Sequence, residues 1–188
     1  MNSDEELMLQ FKFGNVHAFD ELVIRHQEAM FRFFRRMGLS HDDSLDHTQE
    51  TFLKLFAHSK NYVPTPAKFT TYLYRIAKNS LMDRFRQTAC KIETVSFDIE
   101  EWKNAPSYKM NIPHVNIEHQ ERSDIIMQAI QELPDDIKII FILSESQDLK
   151  YSEIAETLSI PLGTVKSRMS LAIKKLRDTL KQKGITFE

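Results

Sequence analysis

Cysteine, glycine and long apolar runs are all scarce in this chain, and each scarcity closes off a class of protein. The single cysteine, Cys90, can form neither an internal disulfide nor a thiolate metal cluster, which suits a reducing compartment. Only four glycines occur in 188 residues, and the Asn-Gly and Asp-Gly pairs that turn β-hairpins are absent. The start, MNSDEELMLQ, is acidic without an apolar signal core, and no apolar run reaches the length of a membrane span. A cytoplasmic, all-α protein is the expectation. Seven histidines invite a metal site, yet His41, His47 and His58 lack the i, i+4 spacing of helical ligands, and His114 and His119 fall in a stretch without periodicity. No glycine-rich phosphate loop and no nucleophile–base set stands out either. Neither an enzyme nor a metal or cofactor site is expected.

What is present is an ordinary soluble composition, 41% hydrophobic and 28% charged, with a formal net charge of -2. That sum hides a segregation. Between Lys68 and Lys91 the basic residues Lys68, Arg75, Lys78, Arg84, Arg86 and Lys91 face only Asp83. Between Lys166 and Lys183 the only acidic residue among seven basic ones is Asp178. Local fields of this kind attract phosphates whatever the global charge.

Helical spacing divides the chain in two. Leu7, Met8 and Phe11 predict a helix from Asp4 to Phe13, and Phe19, Leu22, Val23, Met30, Phe33, Phe34 and Met37 a second one ended by Gly38. A third, from about Asp42 to Ala57, is expected to bury Leu45, Phe52, Leu53 and Phe56. Pro64 and Pro66 make His58 to Lys68 a loop, and Leu73, Ile76, Ala77 and Leu81 mark a fourth helix from about Phe69 to Gln87. The fold expected is therefore two small helical domains, residues 1–91 and 122–188, joined by a flexible linker over 92–121 that Pro106 and Pro113 interrupt. In the second domain, Ile125, Ile126, Ala129, Ile130 and Leu133 precede a corner at Pro134, and Ile137, Ile140, Phe141 and Leu143 follow it.

The segment YSEIAETLSIPLGTVKSRMSLAIKKLRDTL has the layout of a helix-turn-helix. Tyr151 to Leu158 makes a short helix, with Ser152 a candidate cap one turn late, and Ser159-Ile160-Pro161 the turn. The second helix starts near Leu162, with Val165, Met169, Ala172, Ile173, Leu176 and Leu180 in one stripe. The opposite face carries Lys166, Ser167, Ser170, Leu171, Lys174 and Lys175, with Thr164 and Arg168 at its margins. An apolar stripe to dock and a basic, hydroxylated face to enter the major groove is the division a recognition helix needs.

The order LPDDIKIIFILSESQDLKYSEIAETLSIPLGTVKSRMSLAIKKLR resembles region four of extracytoplasmic-function sigma factors of the sigma-70 superfamily, with LP, YSEIAE and P-x-GTVKSR the specific pieces. Upstream, DDSLDHTQETFLKLF resembles region 2.2 and FTTYLYRIAKNSLMDRFR resembles regions 2.3 and 2.4 of that family. The resemblance implies a subunit that binds core RNA polymerase, through its β′ clamp and β flap, and directs initiation at promoter DNA, with an anti-sigma factor as regulator. Asp43, Asp46, Gln49 and Glu50 match the positions that grip the clamp. Tyr72, Arg75, Lys78, Asn79, Arg84 and Arg86 match, or stand beside, those of the minus-ten region, where Phe69 and Tyr74 also fall. Thr164, Lys166, Ser167, Arg168, Ser170 and Lys174 belong to the minus-thirty-five helix, in which Leu171 stands where the family often has a basic residue. The acidic linker resembles the segment that threads towards the polymerase active centre.

Energetics agree that such a chain would need a partner. Separating about ten base-pair steps costs about 14 kcal/mol, whereas two or three bases stacked on aromatic rings return only about 2 to 9 kcal/mol. The alternative is a helix-turn-helix activator that binds duplex DNA without joining the polymerase; it leaves the acidic face of the third helix without a role.

Overall fold

Ser3 starts the first helix with a reciprocal cap: its Oγ accepts from the Glu6 amide at 3.2 Å and the Glu6 carboxylate accepts from the Ser3 amide at 3.0 Å. From there the computed structural model describes residues 2–64, 68–92, 117–147 and 149–185. Within them lie α1 (Asp4–Lys12), α2 (Val16–Arg36), α3 (His41–Ala57), a single 3-10 turn (Ser59–Asn61), α4 (Phe69–Ile92), α5 (Ile117–Gln131), α6 (Asp135–Gln147), α7 (Tyr151–Leu158) and α8 (Leu162–Gln182), with no strand among the described residues. The fold is all-α, two small helical groups. Most of the expected linker, Pro66, and the side chains of Arg84 and Arg86 lie outside what is described; α5 begins inside the stretch assigned to the linker.

The first group is built around α2, which packs on α1 and α3, while α3 packs on α4. Phe33, Phe34, Leu22 and Met30 are fully buried, and Phe33 meets the ring of Tyr74 edge-on at 5.3 Å. Tyr74 and Phe69 are thus core residues. Three long-range contacts fix α1 and the start of α4: Asp4 holds Arg25 at 2.8 Å and His26 at 2.7 Å, and the Glu5 carboxylate accepts from the Phe69 amide at 2.8 Å. A carboxylate at a helix N-terminus also faces the favourable end of the helix dipole.

Helix α3 corrects the expectation of its buried face. Leu45, Leu53 and Phe56 are exposed (41, 69 and 49%), while Ser44, Thr48, Thr51, Phe52 and Leu55 face inward. The hydroxyls make this cheap, because each donates to the carbonyl four residues back: Ser44 to Ser40 at 2.6 Å, Thr48 to Ser44 at 2.7 Å and Thr51 to His47 at 2.7 Å. A buried hydroxyl costs little once it is hydrogen-bonded. Small side chains then let α3 lie close, and the aliphatic ones are turned outward.

In the second group α8 packs against α5, α6 and α7. Val165, Met169, Ala172, Leu176 and Leu180 form its buried stripe; Ile173, expected there, is 45% exposed because it falls one position past Ala172. Ile126 on α5 likewise faces out. Ser159, at φ 56°, is the one non-glycine left-handed residue among those described and turns α7 into α8. The start of α7 is held by the Glu153 carboxylate, which accepts from the Lys150 amide at 2.8 Å, rather than by Ser152. Among the described residues no helix is long and apolar enough to cross a membrane.

Candidate nucleic-acid interface

Three helices carry the residues singled out by sequence. On α8 the Pro161 carbonyl takes the first amides, those of Thr164 at 2.9 Å and Val165 at 3.2 Å, so the chain enters the helix directly from the corner. Docking by the apolar stripe leaves Lys166, Ser167, Ser170 and Lys174 exposed on the far side. Thr164 is half-buried, and its carbonyl accepts from Ser167 Oγ at 3.1 Å. Arg168 differs from its neighbours: half-buried, it reaches Asp136 on α6 at 3.2 Å. It braces the helix-turn-helix as well as edging its cationic face.

On α4 the residues divide less simply. Asn79 is exposed, whereas Tyr72, Arg75 and Lys78 are half-buried. The Tyr72 ring lies 5.4 Å from that of Tyr62, and burial pushes its phenol above the ordinary range although Arg75 pulls the other way. Burial raises Tyr74 further, as its core position requires. Arg75 faces Glu156 of α7 at 3.5 Å, and Lys68, just before α4, meets Glu153 of α7 at 2.9 Å. Sequence reasoning missed these two glutamates; pairing across such a chain separation leaves no local signal.

On α3, Asp46 and Gln49 are exposed and Asp43 sits in the cap, its amide donating to Ser40 Oγ at 3.1 Å. Glu50 is engaged internally. It accepts from Lys54 at 2.7 Å and from Ser80 Oγ at 2.6 Å, while His47 Nδ1 lies 2.7 Å from that same hydroxyl. The bonds from Lys54 and then Ser80 hold the Glu50 carboxyl below the ordinary carboxylate range. Alongside Asp46 and Gln49 run the exposed Leu45, Leu53 and Phe56, which follow one another at helical spacing; Phe56 also closes a ring cluster with Phe11 at 5.1 Å and Phe19 at 5.3 Å. The outer face of α3 is thus mixed acidic and apolar. The hydroxyls at 44, 48 and 51, spaced i, i+4, i+7, were the available clue. Among the described residues there is no cluster suited to a metal ion.

Residues 22–89 match the family Sigma-70 region 2, and residues 123–176 match Sigma-70, region 4. The chain is 31% identical over 171 residues to the RNA polymerase sigma-H factor of Pseudomonas aeruginosa, covering 88% of each. It is 30% identical over 164 residues to the ECF RNA polymerase sigma factor SigE of Mycolicibacterium smegmatis, covering 87% of this chain and 62% of that protein. It is also 30% identical to the ECF RNA polymerase sigma-E factor of Escherichia coli, covering 89% of this chain and 88% of that one. In fold it is similar to CnrH, solved in complex with the cytosolic domain of CnrY (TM-score 0.72, 22% identity, 96% of this chain and 99% of that one). The same holds for RpoE of Bartonella quintana, solved with the anti-sigma factor NepR (TM-score 0.72, 20% identity, 87% of this chain and 96% of that one).

Proposed function

The chain belongs to the sigma-70 family of RNA polymerase sigma factors, of the extracytoplasmic-function type, and we propose on that premise that it binds core RNA polymerase and directs initiation by reading a minus-ten and a minus-thirty-five element. Members of this family are transcription initiation factors and not enzymes. The site of action is the cytoplasm, where the polymerase and its promoters are.

One observation carries the reading of DNA: α8 is docked by a single apolar stripe and presents Lys166, Ser167, Ser170 and Lys174 on its free side. Lysine can reach guanine edges or phosphates, and serine either, from a helix lying in the major groove. α4 supplies the complementary kind of surface for an opened strand, with Tyr72 to stack, Asn79 to hydrogen-bond, and Arg75 and Lys78 for phosphates. Arg84 and Arg86 belong to the same stretch by sequence. Polymerase binding falls to α3, where Asp43, Asp46, Gln49 and Glu50 offer charge. Leu45 and Leu53 add exposed apolar area beside them, and a charged rim around apolar anchors is a productive interface composition. The first group therefore acts at the clamp and the minus-ten element, residues 1–91, and the second, residues 122–188, at the minus-thirty-five element near the β flap. An anti-sigma factor fits as regulator, since RpoE of Bartonella quintana was solved with one.

The test is run-off transcription by core polymerase over a random-promoter library, with and without the chain. Transcripts that share two upstream elements are expected only when both proteins are present. Failure of the two to form a complex overturns the reading, and tight duplex binding without any complex would favour an activator instead.

A further inference from the structure

Helix α1 holds the backbone beside the α4 strand face at two points, one on either side of the stretch that carries Pro64 and Pro66 in sequence. The Glu5 carboxylate accepts from the Phe69 amide, the first of α4, at 2.8 Å, and the Lys12 Nζ donates to the Tyr62 carbonyl at 2.6 Å. Glu5 and Lys12 stand about two turns apart on α1 and therefore on one side of it. α1 is itself fixed, since Ser3 and Glu6 cap it reciprocally and Asp4 ties it to Arg25 and His26 of α2. The His26 ring in turn lies 5.4 Å from that of Phe69. Tyr62 is buried, and its ring is the one that meets Tyr72 at 5.4 Å. Burial raises the Tyr62 phenol above its ordinary range and the Glu5 charge adds to the rise, so Glu5 stands near both held points.

We propose that α1 is a brace for minus-ten reading: Glu5 and Lys12 are positioning residues that set where α4 begins and where the Tyr62 ring supports Tyr72, so base preference at that element depends on two side chains of another helix. The brace rests on α4 being the strand face, as read above. A carboxylate at the first amide of a helix satisfies a donor that has no partner within the helix, at the favourable end of its dipole. An ammonium donating to a carbonyl makes a charge-assisted bond, which is short and strong. Both bonds grip backbone, so what they hold is the course of the chain and not one side chain. Two held points fix an orientation, which one alone leaves free to turn. A stacking ring gains its contact only when its plane lies flat against the base, and Tyr72 takes its support from a neighbour that Lys12 keeps in place.

The random-promoter library, transcribed by core polymerase with full-chain variants, tests this through base preference at the minus-ten element, the ratio of output with the preferred base to output with the others. Tyr72→Ala should flatten that preference by about five- to a hundredfold, the span for one base stacked on a ring. Glu5→Ala and Lys12→Met should each flatten it by about three- to tenfold, part of the same stacking, and leave preference at the minus-thirty-five element unchanged. Glu5→Gln and Lys12→Arg, which keep the acceptor and the donor, should stay near wild type. In NMR spectra of the full chain the ring signals of Tyr62 and Tyr72 should move in Glu5→Ala and Lys12→Met and return in the conservative pair. Lys12→Met keeps its aliphatic stem, so it carries the test should Glu5→Ala fail to fold. Lower output from every promoter at unchanged preference would mean support of the fold alone and overturn the brace; so would ring signals that stay in place. If Tyr72→Ala leaves minus-ten preference intact, α4 is not the strand face and both readings fall. If Tyr72→Ala flattens it while neither α1 variant does, only the brace falls.

Discussion

α4 and α8 are both long, both basic along one side and both assigned to DNA, but they are held differently. α8 packs on α5, α6 and α7 of its own group, and its buried stripe leaves the opposite side open. α4 packs on α1 and α3 and is also met by α7 from the other group. Lys68 and Arg75 meet carboxylates of α7, whereas on α8 Arg168 meets Asp136 of α6 and Lys166 and Lys174 stand exposed. A helix at the margin of a fold keeps one side open, whereas one between two bodies shares its sides with both.

The largest effect that bears on this contrast is in the core supporting α4. Phe34→Ala should cost about 3 to 5 kcal/mol in denaturant unfolding, while Leu171→Ala on the open side of α8 should stay within about 0.5 kcal/mol; similar losses would mean that α8's outer side is not free. Next comes the third surface, on α3. Leu53→Asp should weaken polymerase binding by about tenfold or more, as for an apolar interface anchor, and leave the thermal transition unchanged; retained affinity would move the clamp contact elsewhere. Lys166→Ala should lower the salt slope of duplex binding by about 0.9 if it meets a phosphate. Arg168→Ala should also loosen α8 from α6, and Arg75→Ala should alter the slope only in the presence of polymerase. The smallest effect concerns acid. Since the Glu50 carboxyl titrates below its ordinary range, its contribution to stability is complete above that range and is lost as pH falls through the lowered value. The difference in Tm between wild type and Glu50→Gln should therefore shrink as the solution is acidified; a constant difference would place the effect of Glu50 outside its ion pair with Lys54 and its bond from Ser80.

Local spacing made most of the helices legible: the buried sides of α1, α2 and α4, the corner at Ser159–Pro161 and the stripe of α8 all follow from residues three and four apart. Periodicity failed on α3, because the rule that apolar side chains go inward has no place for hydroxyls that bond to their own helix. Leu45, Leu53 and Phe56 were assigned inward for that reason. Ile173 was misplaced by the same preference for filling a stripe. The meeting of Glu153 with Lys68 and of Glu156 with Arg75 was out of reach altogether, since it depends on how two separately legible groups dock.

Gly38 takes a positive φ of 97° where α2 ends, and Gln131 of α5 lies against it, its amide donating to the Arg36 carbonyl at 2.8 Å. A Cβ at position 38 would fall 2.8 Å from the Gln131 Oε1, on a side chain already committed to that bond. The space left by one missing methyl is thus taken by a side chain that reaches across from the carboxyl-terminal half. Filling it would strain the backbone, which takes a conformation that L side chains rarely adopt, and would oblige the Gln131 side chain to shift.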